Sequence, residues 1–394
     1  MLADAATGRP IKLWNSTVPS PTHSPLSDRD TAFMVDALAL AAHGIGLTDP
    51  NPRVGAVITA ADGRVIGRGH TQEAGGPHAE VMAMRDALAR GEPLAGGTAY
   101  VTLEPCAHHG RTPPCCDALV KAGITRVVSA MSDPNPLVAG QGTARMRQAG
   151  VEVIELDGGP LQHEAAELNI GFFTRMRRGT PWVRLKVAVS LDGRTALPDG
   201  TSQWITGPAA RTDGHAWRKR ASAVLTGVGT VIDDDPRMDV RLVPSARQPL
   251  RVIVDSALRT PPAARILDAP GHTLIYAARV AAHARGALEA RGAEVVLLPD
   301  AAGRVDLVAV LRDLGQRQIN ELHIEAGAVL NGAFVQARLV DEFLVYMAPL
   351  LVGPGRDFAG LAPLSQLQDG LRLRWGDVAL VGDDLRMLAR VVSQ

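Results

Sequence analysis

The strongest constraint on this chain is a set of four side chains that have to meet: His78, Glu80, Cys106 and Cys115. They stand in Pro77-His78-Ala79-Glu80 and in Leu103-Glu104-Pro105-Cys106-Ala107-His108-His109-Gly110-Arg111-Thr112-Pro113-Pro114-Cys115. Each lies where a Pro or Gly cluster gives way to a helix-like run. One imidazole and two thiolates are good zinc ligands. Three protein ligands leave the fourth tetrahedral position open to water, which separates a catalytic zinc from a structural one. His78 and Glu80 are two apart and cannot share one flank of a helix. They converge only if the metal lies off the N-terminal end of the helix expected over 81–89. Free N–H groups and the helix dipole favour thiolate and hydroxide there. Cys115 opens a second helix, over 117–121, which again puts a sulfur where a thiolate is favoured.

Other readings of these residues have to be weighed. Cys116 as a fourth ligand would close the site, but adjacent cysteines rarely turn both sulfurs to one metal, so it reads as core. His43 ends an amphipathic helix and reads as a capping or surface residue. His108 and His109 face substrate or solvent from the loop between the cysteines.

At 394 residues the chain is too long for one ordinary core, and two domains are expected. Lys plus Arg (41) equals Asp plus Glu (41), so nothing attracts the chain generally to nucleic acid or anionic lipid. A phosphate would have to be held by a few local groups, which points to a small-molecule partner. With only three cysteines, two of them metal ligands, no disulfide framework is expected and a cytoplasmic location fits. No apolar run reaches the length of a membrane span. Residues 1–27 lack the apolar core of a signal peptide and read as a flexible tail, with Trp14 the one residue that could dock.

Along the first half, Asp28 is the expected N-cap of a helix over 29–43. Strands are expected over 54–59 and 65–69, joined by an Asp62-Gly63 turn. The loop 70–76 leads to His78. Further strands fall at 98–103, 126–131 and 151–156, and a helix at 143–148. This alternation predicts an α/β sandwich on a mostly parallel sheet. A helix-like run over 161–178 ends in Arg175, Arg177 and Arg178, and Gly179-Thr180-Pro181 marks the domain boundary. The second half predicts strands over 182–189, 224–226, 252–254, 272–276, 294–298, 321–325 and 342–347, with helices between them. Two glycine-containing turns after strands, at 226–230 and 325–334, could cradle a nucleotide. Neither is the G-x-G-x-x-G fingerprint, and each could equally be a tight strand-to-helix turn.

These motifs together resemble a known family. Asn51-Pro52-x-Val54-Gly55-Ala56-Val57, His78-Ala79-Glu80, the Glu104-to-Cys115 stretch and Asp133-Pro134-Asn135-Pro136-Leu137-Val138-Ala139-Gly140 resemble the deaminase half of the bifunctional riboflavin-biosynthesis deaminase/reductases. Eight residues separate the two cysteines, where cytidine deaminases have two. The resemblance implies a zinc deaminase acting on 2,5-diamino-6-ribosylamino-pyrimidinone 5′-phosphate. His78, Cys106 and Cys115 would hold Zn2+, and Glu80 would carry protons from the attacking water to the leaving ammonia. Asn51 would contact the pyrimidine or ribose, and Arg111 the phosphate. The family often has a histidine close to the Thr71 position. This chain carries His70 one place earlier, so His70 and Thr71 remain alternatives for the sugar-phosphate contact.

Ser190-Leu191-Asp192-Gly193-Arg194, Ser202-Gln203-Trp204-Ile205-Thr206, Gly227-Val228-Gly229-Thr230 through Asp234-Asp235-Pro236, Val254-Asp255-Ser256 and Glu325-Ala326-Gly327 recur in the order of the family's reductase half. That half has a dihydrofolate-reductase-like fold and implies NADPH. Ala188, Trp204, Thr206, Thr230, Asp234, Ser256 and the turn Gly327, Ala328, Val329, Leu330, Asn331, Gly332, Ala333 would hold the cofactor. Ser202, Arg218, Met238, Arg241 and Glu325 would hold substrate, with Arg218 and Arg241 as phosphate candidates. No residue identifies itself as the proton donor.

The expected architecture is therefore an N-terminal cytidine-deaminase-like α/β/α sandwich over 28–178 and a C-terminal dihydrofolate-reductase-like α/β domain over 179–394, after the tail 1–27. The family tendency implies a homo-oligomer. A nucleoside or tRNA deaminase fused to an unrelated nucleotide-binding domain is the alternative enzyme. A structural-zinc binding protein is the rival outside enzymes, and it requires a fourth protein ligand.

Overall fold

The computed structural model describes residues 26–107, 113–134, 139–279 and 281–392. They form two compact units that divide between Gly179 and Thr180. Trp14, His108, His109, Arg111 and the 135–138 part of the Asp133 motif lie outside the described residues.

Unit one begins with α1 (Asp28–Ala42). Ser27, not Asp28, is its N-cap: the Ser27 hydroxyl accepts from the Asp30 N–H while the Asp30 carboxylate accepts from the Ser27 N–H. Serine three residues before an acid is a capping box. β1 (Gly55–Thr59) and β2 (Val65–His70) form the expected hairpin. Then come α2 (Ala79–Ala89), β3 (Thr98–Val101), α3 (Cys115–Lys121), β4 (Arg126–Ser129), α4 (Gln141–Gln148), β5 (Glu152–Glu155), α5 (Gly159–Leu168) and α6 (Ile170–Arg178).

The sheet order is β2-β1-β3-β4-β5. β1 pairs antiparallel with both β2 and β3, and only β3-β4 and β4-β5 are parallel, so the sheet is mixed rather than mostly parallel. Alternate residues of the central strands face opposite layers. Val57, Tyr100 and Val128 pack on α1 and α5, while Ile58, Ala99, Val101 and Val127 pack on α2, α3 and α4. The helix-like run over 161–178 is two helices. The break falls at Asn169, whose side-chain amide accepts from the Arg53 N–H at 2.7 Å and donates to the Arg53 carbonyl at 2.9 Å. Asn169 thereby anchors the Asn51-Pro52-Arg53 turn beside β1.

Unit two contains β6 (Trp182–Ser190), β7 (Arg194–Ala196), α7 (Pro208–Arg220), β8 (Ala223–Gly227), α8 (Val228–Asp234), β9 (Leu250–Val254), α9 (Arg265–Asp268), β10 (Thr273–Ala277), α10 (Ala282–Glu289), β11 (Ala293–Leu297), α11 (Leu307–Gln316), β12 (Glu321–Ile324), α12 (Ala328–Gln336), β13 (Glu342–Ala348), β14 (Arg356–Asp357), β15 (Leu373–Val381) and β16 (Asp384–Val391). Nine strands form one sheet, ordered β11-β10-β9-β8-β12-β6-β13-β16-β15. Pairing is parallel from β11 to β13 and antiparallel for β16 and β15. β7 and β14 form a separate two-stranded piece. Val252 and Leu274 face α11 and α12, whereas their neighbours Ile253 and Ile275 face α8, α9 and α10. Buried Arg184 on β6 donates to Glu321 on β12 at 2.9 Å and to Glu342 on β13 at 2.6 Å, fixing the register of three central strands. No helix of the described residues is long and apolar enough to cross a membrane.

Candidate active sites

In unit one the candidate metal-ligand set takes His78 and Cys115 from two helix N-termini and Cys106 from the loop after β3. α2 lies directly on the backbone of β2, because a Cβ at Gly67 would sit 2.1 Å from the Ala83 carbonyl oxygen and one at Gly69 would sit 2.4 Å from the Ala83 nitrogen. His78 is the N-cap of α2 in extended conformation, and Glu80 lies in its first turn, 4% exposed. Cys115 begins α3, and its N–H donates to the Cys106 sulfur at 3.4 Å. The His78 Nδ1 lies 3.3 Å from the Cys115 Sγ and 3.6 Å from the Cys106 Sγ. All three candidate ligand atoms fall within 4.8 Å of one another, and no other group of His, Cys or acidic side chains among the described residues is arranged to hold a metal. Cys116 is fully buried and turns its sulfur toward Asp117, 3.7 Å away, so it does not close the set.

The electrostatics of these groups suit a bound cation. A hydrogen bond from Cys115 pulls the Cys106 thiol down, and that same bond pushes Cys115 up. The Cys106 hydrogen bond raises His78. Burial, then the charge on Cys106, push Glu80 up to about 7. A dication here stabilises both thiolates and the carboxylate together, so the residues present fit zinc.

Glu104, read only as part of a motif, has a structural task. Its buried carboxylate accepts from the N–H groups of Asp133 (3.1 Å), Gly140 (2.9 Å), Gly142 (3.0 Å) and Thr143 (3.2 Å). A Cβ at Gly142 would sit 2.0 Å from the Pro105 carbonyl oxygen, so the start of α4 is pressed against the residue before Cys106. Asn51 is half-buried in the turn held by Asn169. The His70 ring is half-buried, with its Nδ1 3.0 Å from the Thr71 carbonyl oxygen and its ring edge-on to His43 at 5.5 Å. Thr71 is buried. Of the two alternatives, His70 therefore has the more accessible side chain.

In unit two a cleft of about 1700 Å³ opens at the carboxyl ends of the parallel strands. That is where ligands bind in open α/β sheets. It is lined by Ala188, Ser202, Trp204, Thr206, Arg218, Thr230, Asp234, Met238, Arg241, Ser256 and Glu325, and by Gly327, Ala328, Val329, Leu330, Asn331 and Ala333. Gly332 does not line it. That residue faces the 360 loop, and a Cβ there would sit 2.3 Å from the Gly360 carbonyl oxygen. The Asn331 amide is also engaged internally, donating to the Ala326 and Phe358 carbonyls. Trp204 and Val329 are 65% and 88% exposed, offering apolar surface to a ligand. Arg211 lies over the Trp204 ring, 4.6 Å from its centroid. Ser256 accepts the Val305 N–H at 3.2 Å through its hydroxyl.

Arg218 is not a free phosphate holder. Its guanidinium grips Glu325 at 2.5 and 3.0 Å and donates to the Asp239 carbonyl at 3.0 Å. Burial would raise the Glu325 carboxyl, but Arg218, Lys186 and His323 hold it well below the usual range. Arg241 shares Asp239 at 2.7 Å, and about half of its side chain stays exposed, which leaves it able to meet an anion. Burial, with Arg218 and Arg241, pushes His215 down to about 4. Burial and Asp233 push Asp234 up. Lys186, unread in the sequence, lines the cleft with its Nζ 3.5 Å from Glu325. The available signal was a lysine two residues after Arg184 in a mainly apolar strand.

Comparison with known proteins agrees with both halves. The cytidine and deoxycytidylate deaminase zinc-binding region matches residues 27–131, and the RibD C-terminal domain matches residues 181–386. The chain is 46% identical to riboflavin biosynthesis protein RibD of Escherichia coli K12, over 91% of this chain and 98% of that protein. Against the solved structure of Acinetobacter baumannii RibD it is 42% identical with a TM-score of 0.84, covering 93% of this chain and 99% of that one. Against a Thermotoga maritima diaminohydroxyphosphoribosylaminopyrimidine deaminase/5-amino-6-(5-phosphoribosylamino)uracil reductase it is 35% identical with a TM-score of 0.83, covering 92% and 99%. With a three-ligand zinc site in one unit and a strand-end cleft in the other, the chain belongs to the RibD family of bifunctional deaminase/reductases of riboflavin biosynthesis.

Proposed function

We propose that the first unit deaminates 2,5-diamino-6-ribosylamino-4(3H)-pyrimidinone 5′-phosphate. The second then reduces the ribosyl side chain with NADPH, giving 5-amino-6-(5-phospho-ribitylamino)uracil. The observation that carries the first step is the convergence of His78, Cys106 and Cys115 within 4.8 Å beside a buried Glu80. When bound, zinc supplies Lewis-acid activation of water. Glu80 takes the proton of the attacking water and delivers it to the departing ammonia, the work of a positioned acid/base. Its place in the first turn of α2 holds it beside the ligands without spending it as one. Asn51 and His70 flank the substrate, and Arg111 takes its phosphate.

In the second unit NADPH supplies hydride. Ala188, Trp204, Thr206, Thr230, Asp234, Ser256 and the 327–333 start of α12 orient it, with Gly332 packed against the Gly360 loop rather than the ligand. Ser202, Met238 and Arg241 hold the substrate, and Arg241 alone takes the phosphate role first shared with Arg218. Arg218 instead holds Glu325 toward the cleft. The reading assigns a tail to 1–27, the deaminase to 28–178 and the reductase to 179–394, in a cytoplasmic homo-oligomer.

Mass spectrometry of the products tests both steps. Purified protein and the diaminopyrimidine phosphate should show ammonia replaced by water, then a gain of two hydrogens only with NADPH. Deamination without reduction would overturn the second assignment alone. No reaction with zinc bound would overturn the substrate.

A further inference from the structure

One side chain on the cleft face of α7 is left with an unanswered hydrogen-bond donor. Spacings of four and three put Arg211, His215 and Arg218 on one face of the helix, and all three line the cleft. Arg211 lies over Trp204, and Arg218 grips Glu325. His215 is 5% exposed, and its Nδ1 accepts the Arg241 N–H at 3.1 Å. A neutral imidazole that accepts at Nδ1 carries its proton at Nε2. Burial, then Arg218 and Arg241, keep this ring neutral. Among the described residues nothing accepts from Nε2, and that atom is not sealed off from solvent. A donor on a nearly buried side chain, opening only on a ligand cleft, calls for an acceptor on the ligand.

The groups around the ring identify that acceptor. Arg241 stands on a segment held in place from behind. The Gln248 side chain accepts the Val240 N–H at 2.8 Å and donates to the Val240 carbonyl at 2.9 Å, and Met238 takes left-handed backbone at φ 54°. Such backbone in a bulky residue persists only where its surroundings fix it. Four cations line this corner, Lys186, Arg218, Arg237 and Arg241, and two carboxylates answer them, Glu325 and Asp239. The surplus of positive charge suits a phosphate monoester, which carries up to two negative charges. We propose that His215 binds the 5′-phosphate of the reductase substrate: its Nε2–H donates to a phosphate oxygen while its Nδ1 fixes the backbone of Arg241, which supplies the charge. This rests on the reductase reading and on Arg241 as the phosphate cation. Being neutral, the ring adds direction rather than charge. It also selects against a sugar without phosphate, since the donor would then stay unpaired in a nearly closed corner.

Two amide substitutions in the full chain separate the two ring nitrogens, because Asn reaches about as far as Nδ1 and Gln about as far as Nε2. His215→Gln retains a donor for the phosphate and should stay near the wild-type KM for the deaminated substrate. His215→Asn retains the acceptor for Arg241 but loses the donor. Its KM should rise about 10–100-fold, the worth of a hydrogen bond to a charged group, with kcat and the KM for NADPH unchanged. The reverse order would make His215 a prop for Arg241 and overturn the phosphate contact, and so would the same KM in both variants. Should either variant misfold, a crystal structure of the wild type with the deaminated substrate and no NADPH decides. It should show Nε2 within hydrogen-bond distance of a phosphate oxygen, and a phosphate bound elsewhere would overturn the contact. A wild type that leaves the deaminated substrate unreduced when NADPH is added would overturn the reductase reading instead.

Discussion

The two units build their sites in opposite ways. In unit one the proposed chemistry rests on four side chains, three of them brought together by two helix N-termini and Cys106 by the loop after β3. In unit two the site is spread along the ends of β6, β8, β9 and β12, and much of it is backbone shape and held charge. A point site declares itself by residue type. A distributed site is visible only once strand ends are brought side by side.

The sharpest way to break this contrast is to remove single side chains. Glu80→Gln should keep zinc and lower deamination by about 10²–10⁴-fold, the usual worth of a positioned acid/base, with reduction of preformed deaminated substrate unchanged. Assays of each half-reaction with metal analysis check it. Equal loss in both halves would mean that the site is not local to unit one.

In unit two no single residue should be so decisive, but Arg218 should come nearest. Arg218→Ala leaves Glu325 buried without its bidentate partner. Breaking a buried pair costs about 3–5 kcal/mol. Reductase activity should fall together with the unit-two melting temperature, while deamination persists. Arg241→Ala should instead raise the KM for substrate with little change in melting. If Arg218→Ala behaves like Arg241→Ala, Arg218 is a phosphate holder after all.

Behind the ligands, Glu104→Gln should weaken zinc by about 10–100-fold, the effect expected of an outer-shell partner. Competition with a chromogenic chelator would measure it.

The smallest difference concerns acid. His215 is held at about 4, below its ordinary value, by burial and then by Arg218 and Arg241. It is neutral in the fold, so its share of stability is full above about pH 6.5 and is lost as pH falls toward 4. That share is at most about 3 kcal/mol. Burial would raise Asp30, but Arg126, Tyr100 and Ser27 hold it well below its ordinary value. Its share is full above about pH 4 and is lost only below that. Calorimetry at pH 7, 5 and 3 should show unit two weakening first and unit one later. His215→Gln should flatten the slope between pH 6.5 and 4. Simultaneous weakening would erase the distinction.

Legibility follows the same division. His78, Cys106, Cys115 and Glu80 could be read because few structures besides a metal site require those residues at those turns. Ser27 displaced Asp28 as cap because its hydroxyl and the Asp30 carboxylate satisfy each other's N–H groups. The helix break at Asn169 was hidden because its cause is Arg53, far away in sequence. The pairing of Arg218 with Glu325 was hidden because the two are equally distant in sequence. Lys186 was passed over inside a mainly apolar strand that also carries Arg184, and the β15–β16 hairpin was not foreseen, since a bulge disguises its alternation. The stretch 327–333, expected as a turn, is the N-cap and first turns of α12, and Gly332 faces Gly360 across a contact no local pattern reveals.

The Glu104 clamp has one more consequence, in kinetics. Its carboxylate ties the strand end that leads to Cys106 to the N–H groups of Asp133, Gly140, Gly142 and Thr143. Cys106 cannot swing away alone, because Pro105 is also pressed against Gly142. Release of a bound zinc should then follow loss of the Glu104 bonds to Asp133, Gly140, Gly142 and Thr143, a local opening rather than a rotation of one ligand. Isotope exchange of bound zinc should accordingly be slow even where the affinity is ordinary.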